Sequence, residues 1–353
     1  MIDQIFKTMG LTTISNRYTL QEEITQGKSS TCFFGIDNET NQEIFVKFLI
    51  FPRSELEIAR FKNEIQFLKY QEVFNTIIKK TPDLIEHGEL YDGRVLYLIT
   101  DRVHGTLLSK WINQELPSAS LHQRLLIAYR VFGASEHQAL FYVHRDLHAN
   151  NIILLDEDID LLSDIPNYKA IILDWGQSYC REIYNYRESE DDHMAIIHNG
   201  IGREISNSFY NLPPETFQNW DDTSTQYNKY DCWAMGLLFY KLLTGEDLFN
   251  FTSIGEYAAA LPSMGQKLQE AKRKIVEIHG NEYKILSEIL FRLLSENPTE
   301  RLDIQKARFA IWFVVVEGFL PESDREINNF LRSPTYYEGQ KWKHFTVEEF
   351  DYS

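Results

Sequence analysis

The rhythm of hydrophobic positions changes once along the chain. In the first part, short runs rich in aromatic and β-branched residues stand at 18–24, 31–36 and 43–50. Such runs predict strands. Between the last two, Asp37-Asn38-Glu39-Thr40-Asn41 supplies the small polar residues that a hairpin turn requires. Leu56, Ala59, Phe61, Ile65 and Leu68 then recur at helical spacing, which predicts a helix over 54–70 with one buried face. Two more strand-like runs flank Asp92-Gly93, the second ending at 95–99. After Gly105 helical periodicity dominates, at 121–140, 232–243 and 283–294, and strand-like pieces survive only at 151–155 and 170–173. A β-rich unit with one helix therefore precedes a larger, mainly helical unit, an α+β arrangement. The joint at 100–105 is short, as expected for two lobes that share a cleft.

Composition narrows the function classes. The chain has 353 residues with 43 % hydrophobic and 25 % charged positions, which is ordinary for a globular protein. Its formal net charge is −17, and it has no run of five or more Lys and Arg. An acidic surface repels phosphate backbones, so nucleic acid is not an expected partner. The three cysteines, Cys32, Cys180 and Cys232, lie far apart, as expected for reduced thiols in a cytoplasmic setting. The longest apolar stretch, 309–316, is too short to span a bilayer, and the first 17 residues do not read as a signal peptide.

The densest chemistry lies at His144-Arg145-Asp146-Leu147-His148-Ala149-Asn150-Asn151, on a loop just before a predicted strand. It brings a carboxylate and an amide into a small space. A second strand ends in Asp174-Trp175-Gly176. Asp146 is then a candidate base. Asn151 and Asp174 are candidate oxygen ligands for a hard cation such as Mg²⁺ carrying substrate phosphates.

These residues resemble the eukaryotic-type protein kinase family. The first motif resembles H-R-D-L-x-x-x-N and the second D-F-G. Ile44-Phe45-Val46-Lys47 is similar to V-A-I-K, and Glu64 follows Lys47 by 17 residues within the predicted helix. Pro213-Pro214-Glu215 resembles A-P-E, Asp231-Cys232-Trp233-Ala234-Met235-Gly236 resembles D-x-W-x-x-G, and Arg301 stands where the family keeps the partner of the A-P-E glutamate. The resemblance implies a two-lobed fold: an N-lobe over 18–102, a C-lobe over 103–320, and extensions at 1–17 and 321–353. It implies ATP and Mg²⁺ as cofactors and a protein hydroxyl as acceptor, Ser or Thr ahead of Tyr. Lys47 would hold phosphates, directed by Glu64. Asp146 would take the acceptor's proton, with Arg145, His148 and Asn151 around it. Asn151 and Asp174 would bind the metal. Gly27, Ser30 and Cys32 would cover the nucleotide, and Thr100, Asp101 and Val103 would form the hinge edge, through backbone groups at Asp101 and Val103.

Several positions depart from the family pattern. Only Gly27 remains of three loop glycines, with Thr25 and Ser30 at the other two positions, so weaker nucleotide affinity is expected. Gly27-Lys28-Ser29 mimics a P-loop end, but Glu22 stands where that motif needs glycine. Trp175 replaces phenylalanine and is expected to pack under the first helix, near Leu68 and His144. His148 replaces a lysine, which brings in a second reading, a small-molecule kinase of the aminoglycoside or choline type. The degenerate loop brings in a third, a pseudokinase that acts as a binding module. The segment from Asp174 to Glu215 is long, at 42 residues, and contains an acidic run at 188–192. With Arg145 before Asp146, the family resemblance implies control by an anion on this segment, from phosphorylation at Ser189, Ser206, Ser208 or Tyr210 or from its own acidic run, or control by an activating partner. An acidic insertion at 156–168 reads as a solvated hairpin. Phe330, Trp342, Phe345 and Phe350 are too many large apolar groups for a free tail, so part of it should pack on a lobe.

Overall fold

The computed structural model of the chain describes residues 13–24, 30–75, 79, 81–156, 169–180, 211–217, 229–332, 335–338 and 341–344. The chain divides into two units, Met1–Thr106 with Ile171–Glu204, and Leu107–Ala170 with Ile205–Ser353.

Alternation of buried and half-buried residues builds the first unit. Its sheet contains β1 (Thr13–Ile14), β2 (Tyr18–Ile24), β3 (Ser30–Asp37), β4 (Gln42–Ile50), β5 (Leu84–Leu90) and β6 (Val95–Asp101). These six strands are antiparallel neighbours in the order β1-β2-β3-β4-β6-β5. In β4, Ile44, Val46 and Phe48 point into a core shared with Ile14, Tyr18, Phe33, Tyr97 and Ile99. The period of two sends Lys47 to the opposite face, in register with Cys32 on one side and Leu98 on the other. The β3–β4 turn forms as its residues predict. Asp37 accepts the Glu39 N–H through Oδ1 at 3.0 Å, and Asn41 adopts a left-handed φ of 58°. Arg17 grips the same Asp37 carboxylate at 3.1 and 2.7 Å and ties β2 to the turn. Helix α1 (Glu55–Asn75) extends five residues beyond the predicted end. Its start is fixed by Ser54, whose Oγ accepts the Glu57 N–H at 3.3 Å, and by Glu57, which accepts the Arg53 N–H at 2.7 Å.

The second unit is helical: α2 (Leu108–Gln114), α3 (Leu121–Phe141), α4 (Tyr230–Thr244), α5 (Ile254–Ala260), α6 (Met264–His279), α7 (Lys284–Leu293), α8 (Ile304–Val316) and α9 (Asp324–Arg332). Helix α4 is apolar all round and buried along nearly its whole length, which makes it the core of this unit. Gly236 permits the close packing against α7: a Cβ there would lie 2.7 Å from the Leu294 side chain. The apolar stretch 309–316 falls inside α8. A buried ion pair, Arg308 with Glu136, joins α8 to α3. In the C-terminal extension, α9 buries Ile327, Phe330 and Leu331, with the Phe330 ring centroid 5.3 Å from that of Phe313 and 4.9 Å from that of Phe319. The side chain of Trp342, and Phe345 and Phe350, lie outside the described residues, as does the insertion at 157–168. Among the described residues, no helix is long and apolar enough to cross a membrane.

Candidate functional site

The residues singled out from sequence fall into two polar clusters, one in each unit. In the first unit, strand β4 presents Lys47 and helix α1 presents Glu64, and Lys47 Nζ donates to Glu64 Oε2 at 2.6 Å. It also donates to Asp174 Oδ1 at 3.0 Å. Burial opposes the charge of Lys47, but Asp174 and Glu64 outweigh it and hold its pKa above the usual lysine value. Glu64 is shifted up, chiefly by burial. The Asp174 side chain is 49 % exposed, so the network is closed at its glutamate end and open at its aspartate end.

Asp174 leaves the short strand Ala170–Ile172 in a left-handed conformation, φ 57°. The turn Trp175–Gln177 follows, and helix α1 holds it. Trp175 is buried and stacks on Phe67 with centroids 3.9 Å apart and planes 10° from parallel, while its Nε1 donates to the Ile172 carbonyl at 3.0 Å. The expected packing under the first helix is thus made by Phe67, the neighbour of Leu68. Gly176 fits because a Cβ there would come within 3.2 Å of the Arg60 carbonyl oxygen. Sequence reasoning missed Asn63. Buried one residue before Glu64, it donates its amide N–H groups to the carbonyls of Gly176 at 3.1 Å and Ser178 at 2.8 Å.

The hinge positions lie at the end of β6. Thr100 is buried and its hydroxyl donates to the Asp101 carbonyl at 3.1 Å. The Asp101 carboxylate, to which the sequence assigned no part, accepts the Asp83 N–H at 2.6 Å and pairs with Lys79, which also binds Asp83 at 2.7 Å. Arg102 donates from its backbone to the Glu43 carbonyl at 3.1 Å and from its guanidinium to the Glu43 carboxylate at 2.9 Å. Val103 follows, half-buried. Ser30 opens β3 opposite Leu49. Cys32 lies opposite Lys47, and burial pushes its thiol up to about 11, so it is protonated at neutral pH. Gly27 lies outside the described residues.

In the second unit the loop before the strand Ile152–Leu154 carries Arg145, Asp146, His148 and Asn151. Arg145 is buried with a left-handed φ of 66°. That backbone shape is held from α4: Asp231 accepts the His144 N–H at 2.6 Å and the Arg145 N–H at 3.0 Å. Burial raises Asp231 to about 6, against the two N–H donors that favour its charge. The Asp146 N–H donates to His144 Nδ1 at 3.2 Å. Asn151 is buried, and its Nδ2 donates to the Asp146 carbonyl at 2.9 Å, so the amide is oriented by the loop itself. His148 Nε2 lies 3.7 Å from Asp146 Oδ1, too far for a hydrogen bond. Arg301 binds Glu215 in two parallel contacts of 2.5 and 2.6 Å, the pair that the family resemblance implies, and also donates to the carbonyls of Ser295 and Lys229. Ser189, Ser206, Ser208, Tyr210 and the acidic run at 188–192 lie outside the described residues.

The protein kinase domain family matches residues 18–313. The chain belongs to that family. Its β-rich and helical units are the two lobes of the kinase fold. This kinase domain is similar to calcium-dependent protein kinase 5 of Plasmodium berghei, 24 % identical over 80 % of this chain and 43 % of the relative. It is also similar to a probable serine/threonine-protein kinase of Clostridium acetobutylicum, 28 % identical over 82 % of this chain and 38 % of the relative. A third, the probable serine/threonine-protein kinase nek1 of Dictyostelium discoideum, is 24 % identical over 83 % of this chain and 55 % of the relative. The chain thus spans roughly two fifths to just over half of the length of these curated relatives.

Proposed function

We propose that this kinase domain transfers the γ-phosphoryl group of ATP to a protein hydroxyl, of Ser or Thr ahead of Tyr. The observation that carries this reading is the 2.6 Å pair between Lys47 and Glu64, with Asp174 on the same ammonium. It leaves a directed cation and a half-exposed carboxylate in the kind of arrangement that phosphoryl transfer needs. The names of the relatives support serine or threonine as acceptor.

In this reading Lys47 binds nucleotide phosphates as a point charge, and Glu64 fixes its direction. Asp101 and Val103 present backbone groups to the adenine beside Thr100, with Gly27, Ser30 and Cys32 over the nucleotide. The donor set fits Mg²⁺: a half-exposed carboxylate at Asp174 and the amide oxygen of Asn151, both hard oxygen ligands. The bound metal would neutralise charge on the phosphates. Asp146 takes the proton of the acceptor hydroxyl as its oxygen bonds to the γ-phosphorus. The bond to the bridging oxygen breaks and ADP leaves. Arg145 and Asp231 shape the loop that aims Asp146. His148 would assist from beside it. An activating partner, or phosphorylation of the long segment before Glu215, sets the active form, and the reaction takes place in the cytoplasm.

Transfer of labelled γ-phosphate from ATP·Mg²⁺ tests this reading, with the protein itself and a mixed protein pool as acceptors. Asp146→Asn should lower transfer by roughly 10²- to 10⁴-fold, and Asp174→Ala should abolish it. Label on small hydroxyl compounds alone would favour a small-molecule kinase. Nucleotide binding with no transfer to any acceptor would favour a pseudokinase.

A further inference from the structure

Strand β6 ends at Asp101, two residues before Val103, so the sheet ladder stops short of the backbone assigned to the adenine edge. A single side chain holds both neighbours of Val103. Glu43, the second residue of β4, accepts the Arg102 guanidinium on Oε1 at 2.9 Å, and its Oε2 lies 2.8 Å from His104 Nε2. The Glu43 carbonyl also accepts the Arg102 N–H at 3.1 Å. Arg102 is steadied from one more side. Its guanidinium carbon lies 3.9 Å from the centre of the Phe34 ring, and Phe34 meets Phe45 edge-on with centroids 6.4 Å apart.

This arrangement is a clamp. The two carboxylate oxygens of Glu43 are divided between residues 102 and 104, so the peptide groups on either side of Val103 are fixed together. The period of two puts Glu43 on the same face of β4 as Lys47, away from the core side chains Ile44, Val46 and Phe48. Four residues separate Glu43 from Lys47, about 13 Å along the strand. One strand therefore carries a cation for phosphates near its end and the clamp for the base edge near its start. The magnitudes argue against a role in holding the fold. The Arg102, Glu43 and His104 side chains are 29 %, 43 % and 61 % exposed, and contacts between groups so open to solvent add little to stability. They are strong enough to choose among backbone geometries of similar energy.

We infer that Glu43 is a positioning residue for the nucleotide: its carboxylate, shared between Arg102 and His104, sets the backbone of Val103 at the adenine edge. The inference rests on the proposed nucleotide site and adds to it a residue to which the sequence assigned no part.

The test uses the full chain, with adenosine and ATP·Mg²⁺ as probes in titration calorimetry, beside steady-state transfer and thermal unfolding. Glu43→Ala removes both side-chain contacts and keeps the backbone one. It should weaken adenosine and ATP by the same factor, roughly three- to tenfold. The KM for ATP should rise by that factor, with kcat and the KM for the acceptor unchanged. The melting temperature should stay within about 2 °C of the wild type. Glu43→Gln has one acceptor oxygen, holds one neighbour of Val103, and should fall between. When Arg102→Ala and His104→Ala are already present, Glu43→Ala should change neither affinity further. Lys47→Met supplies the contrast: it should weaken ATP and leave adenosine untouched. Unaltered affinities in Glu43→Ala, a loss confined to ATP, or a loss of the same size with Arg102 and His104 already removed overturns the assignment while leaving phosphoryl transfer standing. Glu43-dependent adenosine binding without transfer to any acceptor keeps the assignment and overturns the transfer reading. A wild type that binds neither adenosine nor ATP overturns both.

Discussion

Two ion pairs come from the same set of spaced motifs, yet they are built differently. Lys47 and Glu64 leave one end of their network open: Asp174, the third member, is half exposed. Arg301 and Glu215 leave none. The Arg301 side chain is fully buried, and besides Glu215 it is bonded to the Ser295 and Lys229 carbonyls, with Trp233 against its face. The first pair can also adjust its protonation, because burial already raises the Glu64 carboxyl, which can take up a proton when its lysine is lost. An open, adjustable pair suits a ligand; a saturated, rigid one suits a fold.

The largest expected effect breaks the rigid pair. Glu215→Gln leaves a buried guanidinium unneutralised and should lower unfolding free energy by roughly 3–5 kcal/mol, read by urea titration.

The next sharpens the contrast through pH. Asp231 is buried like Arg301 but titrates, at about 6 against an ordinary 3.8. The folded chain therefore keeps this proton to higher pH than the unfolded chain. Its contribution to stability declines as pH rises from 3.8 to 6 and is level above that. Relative to Asp231→Asn, wild-type stability should fall by roughly 2–3 kcal/mol between pH 4 and pH 6.5. A gap that stays constant over that range would remove Asp231 as the titrating group.

Asn63→Ala should come third. It takes a donor from the Gly176 and Ser178 carbonyls, at a cost of about 1–3 kcal/mol, and loosens the segment after Asp174. The smallest effect belongs to the hinge. Asp101→Ala removes the acceptor of the Asp83 N–H and the partner of Lys79. It should raise the KM for ATP about three- to tenfold with kcat unchanged. An unchanged KM would limit Asp101 to its backbone.

Much of this was legible in the sequence, for local reasons. The strands β2, β3 and β4 follow from alternation and one polar turn, and their ends fall within a residue of the predicted ones. The pairs Lys47–Glu64 and Glu215–Arg301 are those that the resemblance to the kinase family implies. What was not legible depends on contacts across long stretches of chain. Asn63 reads as an ordinary helix residue until Gly176 is set beside it, and Asp231 reads as a helix start until its carboxylate is seen on the His144 and Arg145 amides. Arg308 and Glu136 stand 172 positions apart with no motif to connect them. Helix α6 is a different case. Met264, Leu268, Ala271 and Ile275 are buried at helical spacing, a pattern as readable as that of α1 though it was not among the predicted elements.

The most direct test of the division between an open pair and a rigid one measures Lys47→Met twice, for phosphoryl transfer and for unfolding free energy, beside Glu215→Gln. The expected result is transfer reduced by roughly 10²-fold or more, with a stability loss smaller than that of Glu215→Gln. Transfer that survives in Lys47→Met, or a stability loss as large as that of Glu215→Gln, would contradict the account.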